Sequence, residues 1–217
     1  MAQPVAAERD EPAAAGTLRV QGARRPKPLL SHPFRRKKLR PRPLTIHVTA
    51  ICALVAAQPT AASLAAGLPL VALGQALRLW ATGHLCKTDD LSVTGPYARL
   101  RHPLYVGAFA MGCGFAIMAG PRVAAVVLPL GFAFFFLYYM PRKERIESER
   151  LAATHGAAYR AYRTQVGALV PRLRAWRAAW PTPPVRWSLE RVRENNEQST
   201  VAWALLAIAA LLARWWL

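Results

Sequence analysis

Acidic residues are scarce in this chain. Eleven Asp and Glu stand against 29 Lys and Arg, a formal net charge of +18, while 53% of the residues are hydrophobic. Those two facts conflict in a soluble globule. They agree if the apolar residues are gathered into spans and the basic ones into loops. Cysteine is scarce too: Cys52, Cys86 and Cys113 sit in or beside apolar runs, with no paired spacing and no metal-ligand neighbours. That excludes a disulfide frame and a metal site, and leaves the three as small hydrophobes. Residues 1–43 lack the apolar core of a secretory signal. They are rich in Ala, Pro and Arg and end in the basic block 35–42, so a disordered basic tail is expected there. No RNA- or DNA-binding module accompanies the basic charge, which speaks against a nucleic-acid partner.

What the chain does have is apolar runs of membrane length, about 20 residues each. Five candidates appear: Leu44–Ala57, Ala61–Ala81, Pro103–Ala119, Val123–Met140 and Val201–Leu217. Gln58-Pro59-Thr60 and Pro121-Arg122 are short turns between neighbouring runs. Polar loops cover 82–102 and 141–200. Threading the spans alternately places 27 of the 29 Lys and Arg on one side. The side rich in Lys and Arg is cytoplasmic. The reading is an all-α integral membrane protein with about five transmembrane helices, in which 1–43 is the tail and 44–217 the membrane domain. A bacterial inner membrane, with the polar loops inside and Trp215-Trp216-Leu217 on the far side, fits this charge pattern. Contact with anionic lipid accounts for the basic loops.

Two polar blocks flank the central pair of spans. The first is Gly95-Pro96-Tyr97-Ala98-Arg99-Leu100-Arg101-His102-Pro103-Leu104-Tyr105-Val106-Gly107. Pro103 suits the first turn of a helix, whose free N–H groups then point at the 82–102 loop. Cation, imidazole, phenol and helix terminus thus fall within a dozen residues. Interfacial anchoring explains an isolated Arg or Tyr equally well; His102 wedged before Pro103 is harder to explain that way. The second block runs from Arg142 through Glu144, Arg145, Glu147 and Leu151 to His155-Gly156, Tyr159, Tyr162 and Pro171. Glu144, Glu147 and Leu151 share one helix face, and Tyr159 and Tyr162 share another. Gly156 suits a helix break. A solvated, salt-bridged helix is the plain alternative for this segment.

The paired blocks, with the lead-in Arg78…Gly83…Leu85…Lys87…Leu91…Gly95, resemble the isoprenylcysteine carboxyl methyltransferase family and its bacterial relatives. The resemblance covers roughly residues 70–175, about half of the chain. It implies an S-adenosylmethionine-dependent membrane methyltransferase whose cofactor site lies between loop 82–102 and segment 141–172, on the cytoplasmic side. By position, the cofactor contacts it implies are Leu91, Ser92, Tyr97, Arg101, His102, Pro103, Tyr105 and Glu147. Glu147 would accept from ribose hydroxyls or an amine. His102 and the start of its helix would suit a carboxylate. Lys143 and Arg145, with Arg142 near, are the basic residues that would hold the acceptor.

Two departures stand out. The family often has Glu-Glu where this chain has Glu147-Ser148, so a second carboxylate is either dispensable or supplied by Glu144 or Glu149. The substrate-side arginine of the family falls on Lys143, which keeps the charge and loses the bidentate fork. The implied acceptor is a lipophilic carboxylate, as a small molecule or a lipidated protein, entering from membrane lipid; no obligate protein partner is expected. A phospholipid N-methyltransferase shares the implied cofactor site. Sterol-type reductases using NADPH also carry an Arg-His-Pro-x-Tyr element, and usually put Asn where Leu104 stands.

Overall fold

Thr60 begins the first long helix. Its hydroxyl accepts from the Ser63 N–H at 3.1 Å, and the Ser63 hydroxyl accepts from the Thr60 N–H at 2.8 Å. This reciprocal cap satisfies two free amides at a helix start. The structure, a computed structural model, describes residues 51–86, 91–178 and 185–217. The expected tail and half of the first expected span, residues 44–50, lie outside the described residues. Among the described residues the regular structure is all helical. Helix α1 is Ala61–His84, α2 is Pro103–Met118, and α3 is Pro121–Ala133. A π-helical turn, Phe134–Tyr139, carries α3 directly into α4, Met140–Gln165. Helix α5 is Leu189–Glu194 and α6 is Glu197–Trp216.

Three of these helical rods are long and apolar enough to cross a bilayer: α1, the α3–α4 rod, and α6. Helix α2 is apolar but has only 16 residues, about 24 Å. Large apolar side chains cover the outer faces, with Leu137 79% and Leu205 61% exposed. Such faces are stable against lipid and not against water. The chain therefore has the build of a membrane protein.

Helices α1 and α2 run antiparallel in close contact. Gly67 meets Gly114, and Gly74 meets Gly107: a Cβ at Gly67 would lie 2.4 Å from the Gly114 carbonyl oxygen, and one at Gly74 2.6 Å from that of Gly107. Only glycine allows backbones so near, and in a membrane such packing takes the place of the hydrophobic effect. Helix α6 starts at Glu197, earlier than the apolar run suggested. The reason is an ion pair: Arg78 of α1 donates from Nε to Glu197 Oε1 and from Nη2 to Oε2, both at 2.8 Å. Gln75 adds a bond at 3.1 Å, and Glu197 is 2% exposed. Arg78 Nη1 also donates to the Leu104 carbonyl at 3.2 Å, which ties the start of α2 to the same pair.

The α4 helix reverses at Gly156, whose φ of 51° and ψ of −120° are not helical. Eleven residues of straight helix span about 16 Å. Yet Ser148 Oγ and Tyr159 Oη, 11 residues apart, lie at 2.7 Å. The reversal brings Tyr159, Tyr162 and Val166 back onto Val93, with Leu91, Leu151, Ala152 and Trp176 around them.

Candidate functional site

The segment before α2 is laced to the chain after α4. The Arg101 N–H donates to the Gly167 carbonyl at 2.9 Å and the His102 N–H to that of Ala168 at 3.2 Å. In return the Arg172 N–H donates to Arg99 at 2.9 Å and the Trp176 N–H to Ala98 at 2.7 Å. This pairing holds His102 at the N-cap of α2, which Pro103 starts as expected. The two polar blocks of the sequence are thereby joined.

Side chains from α2 and α4 meet at this join. Tyr105 donates its hydroxyl proton to Glu147 Oε1. His102 Nδ1 is 3.4 Å from Glu147 Oε2, and His102 Nε2 bonds Glu144 Oε2. Arg101 donates from Nη1 to Glu144 Oε1 and from Nε to the Val166 carbonyl at 2.9 Å. Ser148 donates to Glu144 Oε1 at 3.1 Å. Its single proton is used there, so the Tyr159 hydroxyl donates to Ser148. Arg101 Nη1 reaches Tyr159 Oη at 3.4 Å and closes the ring of contacts. Lys143 Nζ lies 3.9 Å from Glu147 Oε1 and 5.7 Å from the centre of the Tyr105 ring.

Burial grades across the cluster. His102 is 7% exposed, the Glu144 side chain 19%, Glu147 34% and Lys143 41%. Burial by itself pushes the Glu144 carboxyl up. The hydrogen bonds from His102 and Arg101, with the charges of both, outweigh it and hold the group at about 2. Tyr97, in the 3-10 turn Gly95–Ala98, is buried and its hydroxyl has no partner. Burial, and then the Glu147 carboxylate, push that hydroxyl above the ordinary phenol range. It remains a proton donor at neutral pH.

The other residues singled out from sequence take separate places. Leu91 packs on the Val93–Tyr159–Tyr162–Val166 core. Ser92 Oγ accepts from the Cys86 N–H at 3.1 Å. Arg145 lines an open groove with Pro141, Glu144, Ser148, Glu149, Ala152 and Arg163, whereas Lys143 sits at Glu147. Both ring nitrogens of His102 face glutamates, so the ring is not free for a ligand carboxylate in this arrangement. Sequence reasoning left Glu144 and Glu149 as alternatives for a second carboxylate, and the structure brings Glu144 to Arg101 and His102. The available signal for Glu144 was its i, i+3 relation to Glu147 and its i, i+4 relation to Ser148.

No family model matches the chain, and no solved structure matches it. Among curated proteins it is similar to the nickel-cobalt-cadmium resistance protein NccN of Alcaligenes xylosoxydans xylosoxydans, at 31% identity over 121 residues, 55% of this chain and 54% of that protein. The chain thus spans about half the length of this curated relative.

Proposed function

We propose that the chain is an S-adenosylmethionine-dependent methyltransferase of the membrane, acting on a lipophilic acceptor, foremost a carboxylate. The observation that carries this reading is the convergence of His102, Tyr105 and Glu147, drawn from the two blocks on which the family resemblance rests. Two features fit the cofactor. Glu147 is supported from behind by Tyr105 and His102 and keeps an exposed edge that can accept from hydroxyls or an amine. Tyr97 holds a buried donor with no partner, an arrangement that a polar ligand would satisfy. Arg101 joins the cluster through Glu144, and Pro103 starts the helix behind His102; Leu91 and Ser92 belong to the grip on the resemblance alone.

When bound, such a cofactor supplies a methyl group already activated for in-line displacement. The protein's work is then positioning. A carboxylate acceptor is ionised at neutral pH and needs no base. Lys143, at the edge of the cluster, offers it a counter-charge, and Arg145 a second cation on the groove side. An amine acceptor would have to lose a proton, and Glu147 is the carboxylate at hand. We place the site at the cytoplasmic leaflet of an inner membrane with five spans, on the distribution of Lys and Arg. Transfer of tritiated methyl from S-adenosylmethionine into a total lipid extract tests the function. Label released as methanol by mild base is expected; base-stable label on an amine points to phospholipid N-methylation, and no label refutes methyl transfer to lipid.

The similarity to NccN supports a second role, in resistance to the metals of that protein's name. A deletion strain grown in nickel, cobalt or cadmium would show it. Complementation by the wild type and by His102→Ala alike would separate resistance from the chemistry of the cluster.

A further inference from the structure

Glu144 lies outside the residues that the resemblance assigns to the cofactor, yet Arg101, His102 and Ser148 all bond to its carboxylate. Its two oxygens divide the work: Oε1 accepts from Arg101 and from Ser148 at 3.1 Å, and Oε2 faces His102 Nε2. Arg163 Nε stands off at 3.8 Å. The second nitrogen of the imidazole is thereby aimed at Glu147 Oε2, 3.4 Å away. Glu147 in turn has its Oε1 taken by Tyr105. Glu144 thus reaches Glu147 through the ring of His102.

We propose that Glu144 is a positioning residue, which fixes the imidazole of His102 so that Glu147 is presented to the cofactor. The role rests on the reading of this site as a cofactor grip. Ser148 and Tyr159 belong to the same device. The chain reversal at Gly156 delivers Tyr159 to Ser148 at 2.7 Å, and Ser148 hands its proton to Glu144. A merely structural ion pair between Glu144 and Arg101 would leave the His102 ring and the exposed edge of Glu147 untouched. The two roles are therefore separable.

Glu144→Gln keeps the shape and removes the charge. An amide accepts at one end only, so either Arg101 or His102 then faces an N–H. Two readouts apply to the full chain in detergent. One is the long-range proton–nitrogen spectrum of His102, assigned by its loss in His102→Ala. The other is calorimetric affinity for S-adenosylhomocysteine. In Glu144→Gln the ring-nitrogen signals are expected to shift away from those of a ring held between two carboxylates, and affinity to fall about tenfold or more. Glu144→Ala with Ser148→Glu, which returns a carboxylate one turn later, is expected to regain most of that affinity. Both changes together support the role. Either change alone in Glu144→Gln, or neither, overturns it while the wild type still binds the nucleoside. Should Glu144→Gln not fold, Ser148→Ala removes one support without touching charge. It is expected to move both readouts the same way by less, and no movement overturns the role. A wild type that never binds the nucleoside, with a ring that still responds to Glu144, upholds the clamp and refutes the methyltransferase reading instead.

Discussion

His102 is buried between two carboxylates, and Glu147 leans on it from the exposed side. Removing the imidazole withdraws one of the two groups that orient Glu147; removing Glu147 withdraws the acceptor itself. His102→Ala and Glu147→Ala are each expected to weaken S-adenosylhomocysteine binding tenfold or more, about 1.4 kcal/mol, by calorimetry. A second expectation follows from the Glu144 carboxyl, held at about 2 against an ordinary 4.5. A carboxylate lowered on folding stabilises the fold above its ordinary value and loses that contribution as pH falls toward the folded one. Unfolding midpoints in detergent should therefore drop between about pH 4.5 and 2 more steeply in wild type than in Glu144→Gln. Parallel curves would remove the ion pairs of Glu144 from the stability of the fold. The two dense blocks that hold Tyr97, His102, Tyr105 and Glu147 were legible in sequence. Glu144 was only one of two candidates for a second carboxylate, since in a mixed-charge helix it and Glu149 read alike as solvated charges. Its partners Arg101 and His102 arrive from 43 and 42 residues away.

At the level of elements, Pro103 opens a helix as expected, whereas Pro121, expected in a turn with Arg122, opens α3, and Thr60, expected in a turn, caps α1 with Ser63. The α1–α2 contact was hidden, because its glycines recur at heptad spacing and not in the four-residue rhythm that marks many membrane pairs. Gly74→Val places a methyl against the Gly107 backbone and is expected to cost about 1–3 kcal/mol or more, read as a lowered melting temperature. Gly112 has open space around its Cβ position, so Gly112→Ala is expected to be neutral. Equal effects at both positions would count against the close packing. Gly156 adopts a positive φ that L-residues rarely accept. Gly156→Val is expected to straighten or strain the reversal by roughly 1–3 kcal/mol and to separate Tyr159 from Ser148. Loss of nucleoside affinity without loss of the membrane helices would be the signature.

Over the whole molecule, charge and hydropathy forecast a helical membrane protein, and the structure has that build. The apolar runs marked α1, α2, α3 and most of α6; α4, Met140–Gln165, lies in a segment expected as a polar loop. The runs did not mark the Arg78–Glu197 pair, which joins residues 119 apart and sets where α6 begins. A buried pair of this kind is costly to break from one side, about 3–5 kcal/mol. Arg78→Met is expected to destabilise the protein strongly. Arg78→Met with Glu197→Leu should do so far less, and thermal melts of the two would tell. The alternate threading adds that a tag before Met1 is cytoplasmic and one after Leu217 is not; tags on the same side would refute five spans. The most direct measurement of the central claim is a calorimetric titration of the purified protein with S-adenosylhomocysteine and, separately, with NADPH. The expected result is saturable binding of the first, lost in His102→Ala, and none of the second. Binding of NADPH alone would contradict the methyltransferase reading and turn the site over to hydride transfer.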